Sequence, residues 1–271
     1  MSSKKQKSHT RSASYSPKKK KKIRLDQRVV QHGFADSLSK AQAMIMAGEI
    51  LWKDQKLTTA GYSIPQDAAL RYRPRRGHGY VGRGGLKMES ALRLFKINPQ
   101  GWLCLDLGMS TGGFTDCLLQ SGASFVYGVD VGQGLAHHRL VTDQRVQIWE
   151  GTNVKDLSSR HIPQLCDLCV ADLSFTSLAN LVQPAFPFLK PKATLLLLVK
   201  PQFELSSHKV NQWGSQGVIL SEYAHQAGDL ACSRVAEILK ELGCTIHGWK
   251  ACEIKGTKGN QEFFIHASTS A

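Results

Sequence analysis

The stretch LDLGMSTGGFTDCLL, residues 105–119, passes from a strand-like apolar segment through glycines into an apolar helical pattern. Gly108, Gly112 and Gly113 carry no Cβ and let the backbone approach a ligand closely, and Phe114, Cys117 and Leu118 then recur at helical spacing. A strand, a glycine loop and a helix in this order suit a ligand held close to the backbone at a helix start. The next strand-like run, SFVYGVDV, places Asp130 about 20 residues on, where an acid bonds a ribose diol. The loop by itself suits a dinucleotide as well as S-adenosylmethionine. Its spacing is not G-x-G-x-x-G, it has no P-loop lysine, and the third and fourth strand-like runs end in the polar groups Thr152-Asn153 and DLSF.

Outward from this loop the same alternation continues. WLCLDLG, SFVYGVDV, RVQIWE, LCDLCVADL and TLLLLVK are apolar runs separated by helical patterns, an order that predicts a doubly wound α/β domain with a mainly parallel sheet. Met88, Ala91, Leu92 and Phe95 mark a helix leading in, and Ala231, Val235, Ile238 and Leu242 mark one that stops at Gly243. CTIHGW and EFFIHA follow closely enough to pair antiparallel, giving the sheet an antiparallel last strand.

The first 82 residues read differently. Residues 1–22 hold nine Lys or Arg and no acid, so most of the chain's net charge of +14 lies in a tail too polar to offset its ordering entropy. Residues 23–70 form a compact α+β pattern: Leu25 and Val29 on one helix that Gly33 closes, then a second helix capped by Ser37 or Ser39 and carrying Ala41, Met44 and Ile45, stopped by Gly48. A strand in EILWKD and another in SIPQDAALRYRPR follow. Residues 71–82 are a basic linker in which Arg71, Arg73, Arg75 and Arg76 sit among glycines and tyrosines, with Arg83 just beyond; arginine pairs with phosphates and both residue types stack on exposed bases.

Four positions in residues 83–271 stand at strand ends or helix starts near the glycine loop: Lys87 in GGLKM, Asp172 in VADLSF, Lys200 in LVKPQF and Glu262 in NQEFF. Two lysines flanked by two carboxylates suit removal of a proton from a weakly acidic hydroxyl and stabilisation of the alkoxide. Lysine ordinarily titrates near pH 10.4, so Lys200 as a base is expected to be depressed by the like charge of a nearby Lys87.

Through YVGRGGLK, LDLGMSTGGFT, VDVG, TNVKDL, VADLSF, LVKPQFE and GNQEFF, residues 23–266 resemble the TlyA (haemolysin A) family of ribosomal-RNA 2′-O-methyltransferases. That resemblance implies a Rossmann-like methyltransferase fold of the FtsJ group, the cofactor S-adenosyl-L-methionine, and a catalytic tetrad of Lys87, Asp172, Lys200 and Glu262. It also implies a cofactor set of Gly108, Ser110, Gly112, Asp130, Asn153 and Asp172. SLSKAQAMIMAGEILWKD is similar to the RNA-binding domain first described in ribosomal small-subunit protein four, which implies RNA contacts from Lys40 and Lys53. Lys53-Asp54-Gln55 stands where that domain commonly has an Asn-Gly turn, and Gly82 replaces a usual serine. The implied partner is ribosomal RNA or a ribosomal subunit, with cytidine the implied acceptor. Because the sequence stops nine residues after Glu262, the large subunit is the better single expectation.

Other classes fare worse. An amino-group methyltransferase carries Asn/Asp-Pro-Pro-aromatic where this chain has Asp172-Leu173-Ser174-Phe175, and a cytosine carbon-five enzyme a Pro-Cys nucleophile there. A membrane-active haemolysin needs apolar surface, and no uninterrupted apolar run exceeds five residues, as at Leu195–Val199, against about 18 for a membrane helix. Seven cysteines, an odd number scattered through apolar runs, read as buried thiols in a reducing, cytoplasmic setting rather than as a disulfide framework, and no metal is called for.

Overall fold

A computed structural model describes residues 21–35, 37–72, 79–173, 178–256 and 258–270. The chain divides into two compact units, residues 1–77 and 78–271. Most of the basic tail, together with Arg73, Arg75, Arg76, Ser174 and Phe175, lies outside the described residues.

In the first unit β1 (Lys22–Arg24) runs into α1 (Leu25–Gln31), followed by α2 (Leu38–Met46), β2 (Ile50–Trp52), β3 (Gln55–Lys56), β4 (Ser63–Pro65) and β5 (Leu70–Tyr72). Leu25, Val29, Ala41, Ile45, Ile50 and Ile64 are fully buried together and form its core. Ser37, not Ser39, caps α2, its hydroxyl accepting from the Lys40 backbone N–H. The β2–β3 turn keeps hairpin geometry without Asn-Gly: Lys53 and Asp54 both take positive φ, 51° and 63°, the combination that matches strand twist. Arg71, expected in a linker, pairs in β5 with β2 and salt-bridges Asp54 at 2.8 Å.

The second unit begins with α3 (Gly84–Phe95) and continues β6 (Leu103–Leu107), α4 (Gly113–Gln120), β7 (Phe125–Asp130), α5 (His138–Val141), β8 (Val146–Glu150), β9 (Cys166–Ala171) and α6 (Leu178–Val182). Then come β10 (Leu189–Val199), α7 (Pro201–Glu204), α8 (Ser207–Gln212), a hairpin of β11 (Gly214–Ser215) and β12 (Val218–Ile219), α9 (Ala224–Glu241), β13 (Thr245–Ala251) and β14 (Phe263–Ser268). The seven-stranded sheet has the order β13-β14-β10-β9-β6-β7-β8, with β10, β9, β6, β7 and β8 mutually parallel. β14 inserts antiparallel between β10 and β13.

Both faces are covered, which is why the central strands read as continuous apolar runs. Leu105, Leu107, Leu195 and Leu197 face a cluster closed by Ala231, Val235 and Leu239 of α9, and Leu168, Val170, Leu196 and Leu198 face one closed by α3 and α4. The chain leaves β6 in opposite directions to β7 and β9, and ligands bind beyond the carboxyl ends of strands at such a switch point.

Contact between α3 and α4 sets where Lys87 stands. A Cβ on Gly113 would lie 2.8 Å from the Gly85 nitrogen and 3.0 Å from the Gly84 Cα, so the two helix starts touch backbone to backbone. Gly113→Ala therefore has no flexible neighbour to displace. We expect it to lower stability by about 1–3 kcal/mol, the usual range for overpacking, seen in a thermal melt as a drop of roughly 2–4 °C per kcal/mol. An unchanged melting temperature would show that this contact is not tight.

Candidate active site

The four charged residues expected to cooperate meet on one rim of the sheet. Lys87 projects from the first turn of α3, Asp172 follows β9 and Lys200 follows β10. Glu262 precedes β14, and because β14 is antiparallel to β10, with Val199 opposite Phe263, its first residues share the rim with Lys200. Lys87 Nζ donates to Glu262 Oε2 at 2.6 Å and lies 3.9 Å from Asp172 Oδ2. Lys200 Nζ lies 2.5 Å from Asp172 Oδ1. The side chains of Lys87, Lys200 and Glu262 are only 11%, 11% and 4% exposed, so little water screens them. One expectation changes here: Lys87 does not press directly on Lys200, because the Asp172 carboxylate stands between them, one oxygen toward each ammonium.

Beside this rim a cavity of about 400 Å³ opens at the ends of β6, β7 and β9, lined by Gly108, Ser110, Asp130, Asp172 and Lys200 on its polar side. Val131, Leu135, Val154 and Leu173 supply an apolar side. Gly108 takes φ +79°, and a Cβ there would meet the Asp172 carbonyl oxygen at 2.7 Å. Asp130 is held by the loops around it: Oδ2 accepts from the Ser110 backbone N–H and Oδ1 from that of Gly132, both at 2.7 Å. Each carboxylate oxygen retains further acceptor capacity toward the cavity.

Gly112 and Asn153 are not among the lining residues. Gly112 caps α4 with φ +91° and packs so closely that a Cβ would come 2.1 Å from Leu140 Cδ1, so its glycine serves packing. Asn153 turns its side chain back to accept from the Lys155 backbone N–H, capping a 3₁₀ turn, and its neighbours Thr152 and Val154 line the cavity instead. Arg83 lies elsewhere, its guanidinium donating to the Lys255 carbonyl at 3.1 Å. Lys53 sits over the Trp52 ring, 5.0 Å from its centroid.

Two acids went unread in the sequence. Glu150, at the end of β8, accepts from the backbone N–H groups of Gly134, Leu135 and Ala136 at 2.7–2.9 Å, and these bonds hold its carboxyl below the usual range. It thereby fixes the loop carrying Leu135 against the cavity. An acid closing a strand is the signal that marked Asp130, and Glu150 carries it too. Asp106, inside β6, is fully buried; Oδ2 accepts from Thr115 N and Oγ1, whereas Oδ1 has no partner among the described residues. Burial pushes its carboxyl up to about 7.

A second cavity, of about 270 Å³, adjoins the rim, with Lys200, Gln202, Phe203, Lys258 and Glu262 among its walls. Lys200 lines both cavities. Among the described residues no group of three or more His, Cys, Asp or Glu is placed to hold a metal, and no helix is long and apolar enough to cross a membrane. The seven cysteines are free and buried.

A Rossmann-like sheet in this strand order, with a nucleoside-sized cavity at the switch point and a charged rim beside it, defines the class of FtsJ-like methyltransferases, whose family profile matches residues 80–269. The 16S/23S rRNA (cytidine-2′-O)-methyltransferase TlyA of Mycobacterium tuberculosis is 35% identical over 249 residues, covering 92% of this chain and 91% of the relative. Hemolysin A of Brachyspira hyodysenteriae is 35% identical over 247 residues, covering 90% and 99%. A solved structure assigned as a hemolysin, from Streptococcus thermophilus, superposes with a TM-score of 0.69 at 28% identity, covering 92% of this chain and 89% of that one. The chain belongs to the TlyA (haemolysin A) family of FtsJ-like methyltransferases.

The buried Asp106 gives a prediction with a definite sign. Its folded-state titration lies above the ordinary value of 3.8, so the folded protein holds the proton more tightly. Wild-type stability from this group is present below about pH 4 and falls until about pH 7. Asp106→Asn keeps an acceptor for Thr115 and removes the titration. Against wild type, it should gain on the order of a few kcal/mol between pH 5 and pH 8 in urea melts. A difference that stays constant with pH would mean Asp106 is ionised throughout.

Proposed function

We propose that this protein transfers a methyl group from S-adenosyl-L-methionine to the ribose 2′-oxygen of a cytidine in ribosomal RNA. The observation that carries this reading is the position of Lys200, which stands at the junction of the two cavities with Asp172 beside it. A donor fits the first cavity: the acids Asp130 and Asp172 face its polar side, Val131, Leu135 and Val154 offer an apolar slot for a planar ring, and Gly108 allows close approach. Bound there, S-adenosyl-L-methionine supplies an electrophilic methyl group. The second cavity lies across Lys200 and takes the acceptor nucleotide.

The chain's own residues handle the proton. A ribose hydroxyl is a poor nucleophile at neutral pH, and Lys200 Nζ, once it has given up its own proton, accepts the hydroxyl proton as the oxygen attacks. Asp172, 2.5 Å away, then faces the ammonium that forms and orients it. Lys87 is fixed by Glu262 and stands 3.9 Å from the other Asp172 oxygen, which keeps that carboxylate from turning away. The rim is a single chain of contacts from Glu262 through Lys87 and Asp172 to Lys200, so its members act as a unit.

The first unit, with Lys40, Lys53 and Arg71 at its surface, and the basic residues 1–22 serve as RNA-binding parts on this reading, in a protein that works in the cytoplasm where ribosomes are made. Two relatives differ in the substrate their names print: TlyA of M. tuberculosis is named for 16S and 23S rRNA, whereas TlyA of Campylobacter jejuni, 30% identical over 191 residues, is named for 23S rRNA. The higher identity belongs to the former, so both rRNAs are candidate substrates. Mapping ribose methylation by resistance to alkaline hydrolysis in 16S and 23S rRNA, from cells with and without the protein, tests the assignment; identical maps would refute it.

Lys200→Ala should lower single-turnover methyl transfer by about 10²–10⁴-fold, the usual range for loss of a general base, with donor and RNA affinities retained. Lys200→Arg should be equally defective, since a guanidinium cannot accept the proton. Activity restored by arginine would assign Lys200 an electrostatic role instead.

A further inference from the structure

Between β7 and α5 the chain passes through Val131 to His137, a stretch outside any helix or strand that supplies much of the apolar wall of the donor cavity. Val131 and Leu135 are 69% and 43% exposed, and Gly132 and Gly134 stand between them, so neither burial nor local propensity keeps this loop in one shape. Its shape is nonetheless definite. A Cβ on Gly132 would lie 2.3 Å from Leu135 Cδ1 and 3.1 Å from Asp130 Oδ1, so the loop curls until Leu135 returns over Gly132 to the side of Asp130. One curl thus brings an acid and an apolar side chain to the same cavity.

Two sets of bonds hold the curl, and both come from the end of β8. The first half is held by backbone: Gly151 N donates to the Gly132 carbonyl and Thr152 N to that of Asp130, each at 2.9 Å. The second half, which carries Leu135, is held by a side chain. Glu150 Oε2 accepts from Gly134 N at 2.7 Å, and Oε1 accepts from Leu135 N and Ala136 N at 2.8 and 2.9 Å. Successive N–H groups turned to one side make a concavity for an anion, and the anion here is the chain's own carboxylate. Glu150 is not among the residues that line the donor cavity, so it reaches a bound donor only through the loop it holds.

We infer that Glu150 is a positioning residue for the methyl donor: by gathering three consecutive N–H groups it sets Leu135 as the wall against the nucleoside half of S-adenosyl-L-methionine. The inference rests on the proposed placing of the donor in the first cavity and names what prepares that cavity. A wall in place before binding spares the donor the cost of ordering it. Because the contact is with the nucleoside and not with the methyl group, it is the same before and during transfer. Glu150 therefore governs donor affinity rather than the rate of the bound complex.

The test reads the loop and the donor separately. Glu150 stands partly exposed, so Glu150→Ala removes no core packing. In the protein without donor, amide exchange of Leu135 and Ala136, followed by NMR, should run at least about tenfold faster in Glu150→Ala than in wild type. Calorimetry should show about tenfold weaker binding of S-adenosyl-L-methionine, and an equal loss for S-adenosyl-L-homocysteine, which shares the nucleoside. Glu150→Gln keeps one acceptor oxygen but turns an amide N–H₂ toward a backbone donor, so its affinity should fall between the two. At saturating donor, single-turnover methyl transfer should stay within about threefold of wild type in both variants. Leu135→Ala should weaken donor binding by itself, and adding Glu150→Ala should cost less than about twofold more, since both act through one wall. Wild-type donor affinity in Glu150→Ala, an undiminished further loss in the Leu135→Ala background, or a slower bound complex with donor affinity unchanged would each overturn this role while leaving the donor site standing. If wild type binds neither compound, the donor site itself is refuted and the role of Glu150 with it.

Discussion

Two ammonium groups do not share a poorly hydrated cleft without a carboxylate to separate them, and Asp172 is that carboxylate. One of its oxygens faces Lys200 at 2.5 Å and the other faces Lys87 at 3.9 Å, while Glu262 secures the far side of Lys87 at 2.6 Å. Removing one member leaves the others with uncompensated charge in a region that admits little water. The order carboxylate, lysine, carboxylate, lysine thus ties together a helix and three strand ends, and on the proposed reading it ties proton transfer to the position of the donor cavity that Asp172 and Lys200 also line.

The sheet topology makes this convergence possible. Parallel β9 and β10 deliver Asp172 and Lys200 to the same edge, and an antiparallel β14 delivers Glu262 there by its start rather than its end. An all-parallel sheet would have placed Glu262 at the opposite edge. Lys87 arrives by another route, through the backbone contact of Gly84 and Gly85 with Gly113, which sets α3 against the helix that opens after the glycine loop. The glycines in RGGLK and STGGF therefore serve the meeting of two helices as much as the approach of a ligand.

Much of this could be read beforehand because the signals are local or topological. Buried parallel strands are near-continuous apolar runs, so β6, β7, β9 and β10 stood out, and a position at a strand end announced Asp130, Asp172 and Lys200. What escaped was the direction in which a side chain turns. Nothing in TNVKDL tells whether Asn153 faces a ligand or caps its own turn, and nothing in STGGF tells that Gly112 makes room for Leu140 rather than for a cofactor. Asp106 reads as an ordinary strand residue until the structure places it, fully buried, over Thr115. The separation of Lys87 from Lys200 by a carboxylate is likewise a matter of three-dimensional order.

The central claim is that the acceptor is a ribose hydroxyl whose proton passes to Lys200. The most direct measurement uses RNA that is natural throughout except for 2′-deoxyribose at the mapped target, assayed for binding and for methyl incorporation with the wild-type protein. The account predicts binding close to that of unmodified RNA and no methyl transfer, since the attacking oxygen is gone while the base and the phosphates remain. Methylation of that substrate would place the acceptor on the base and contradict the account.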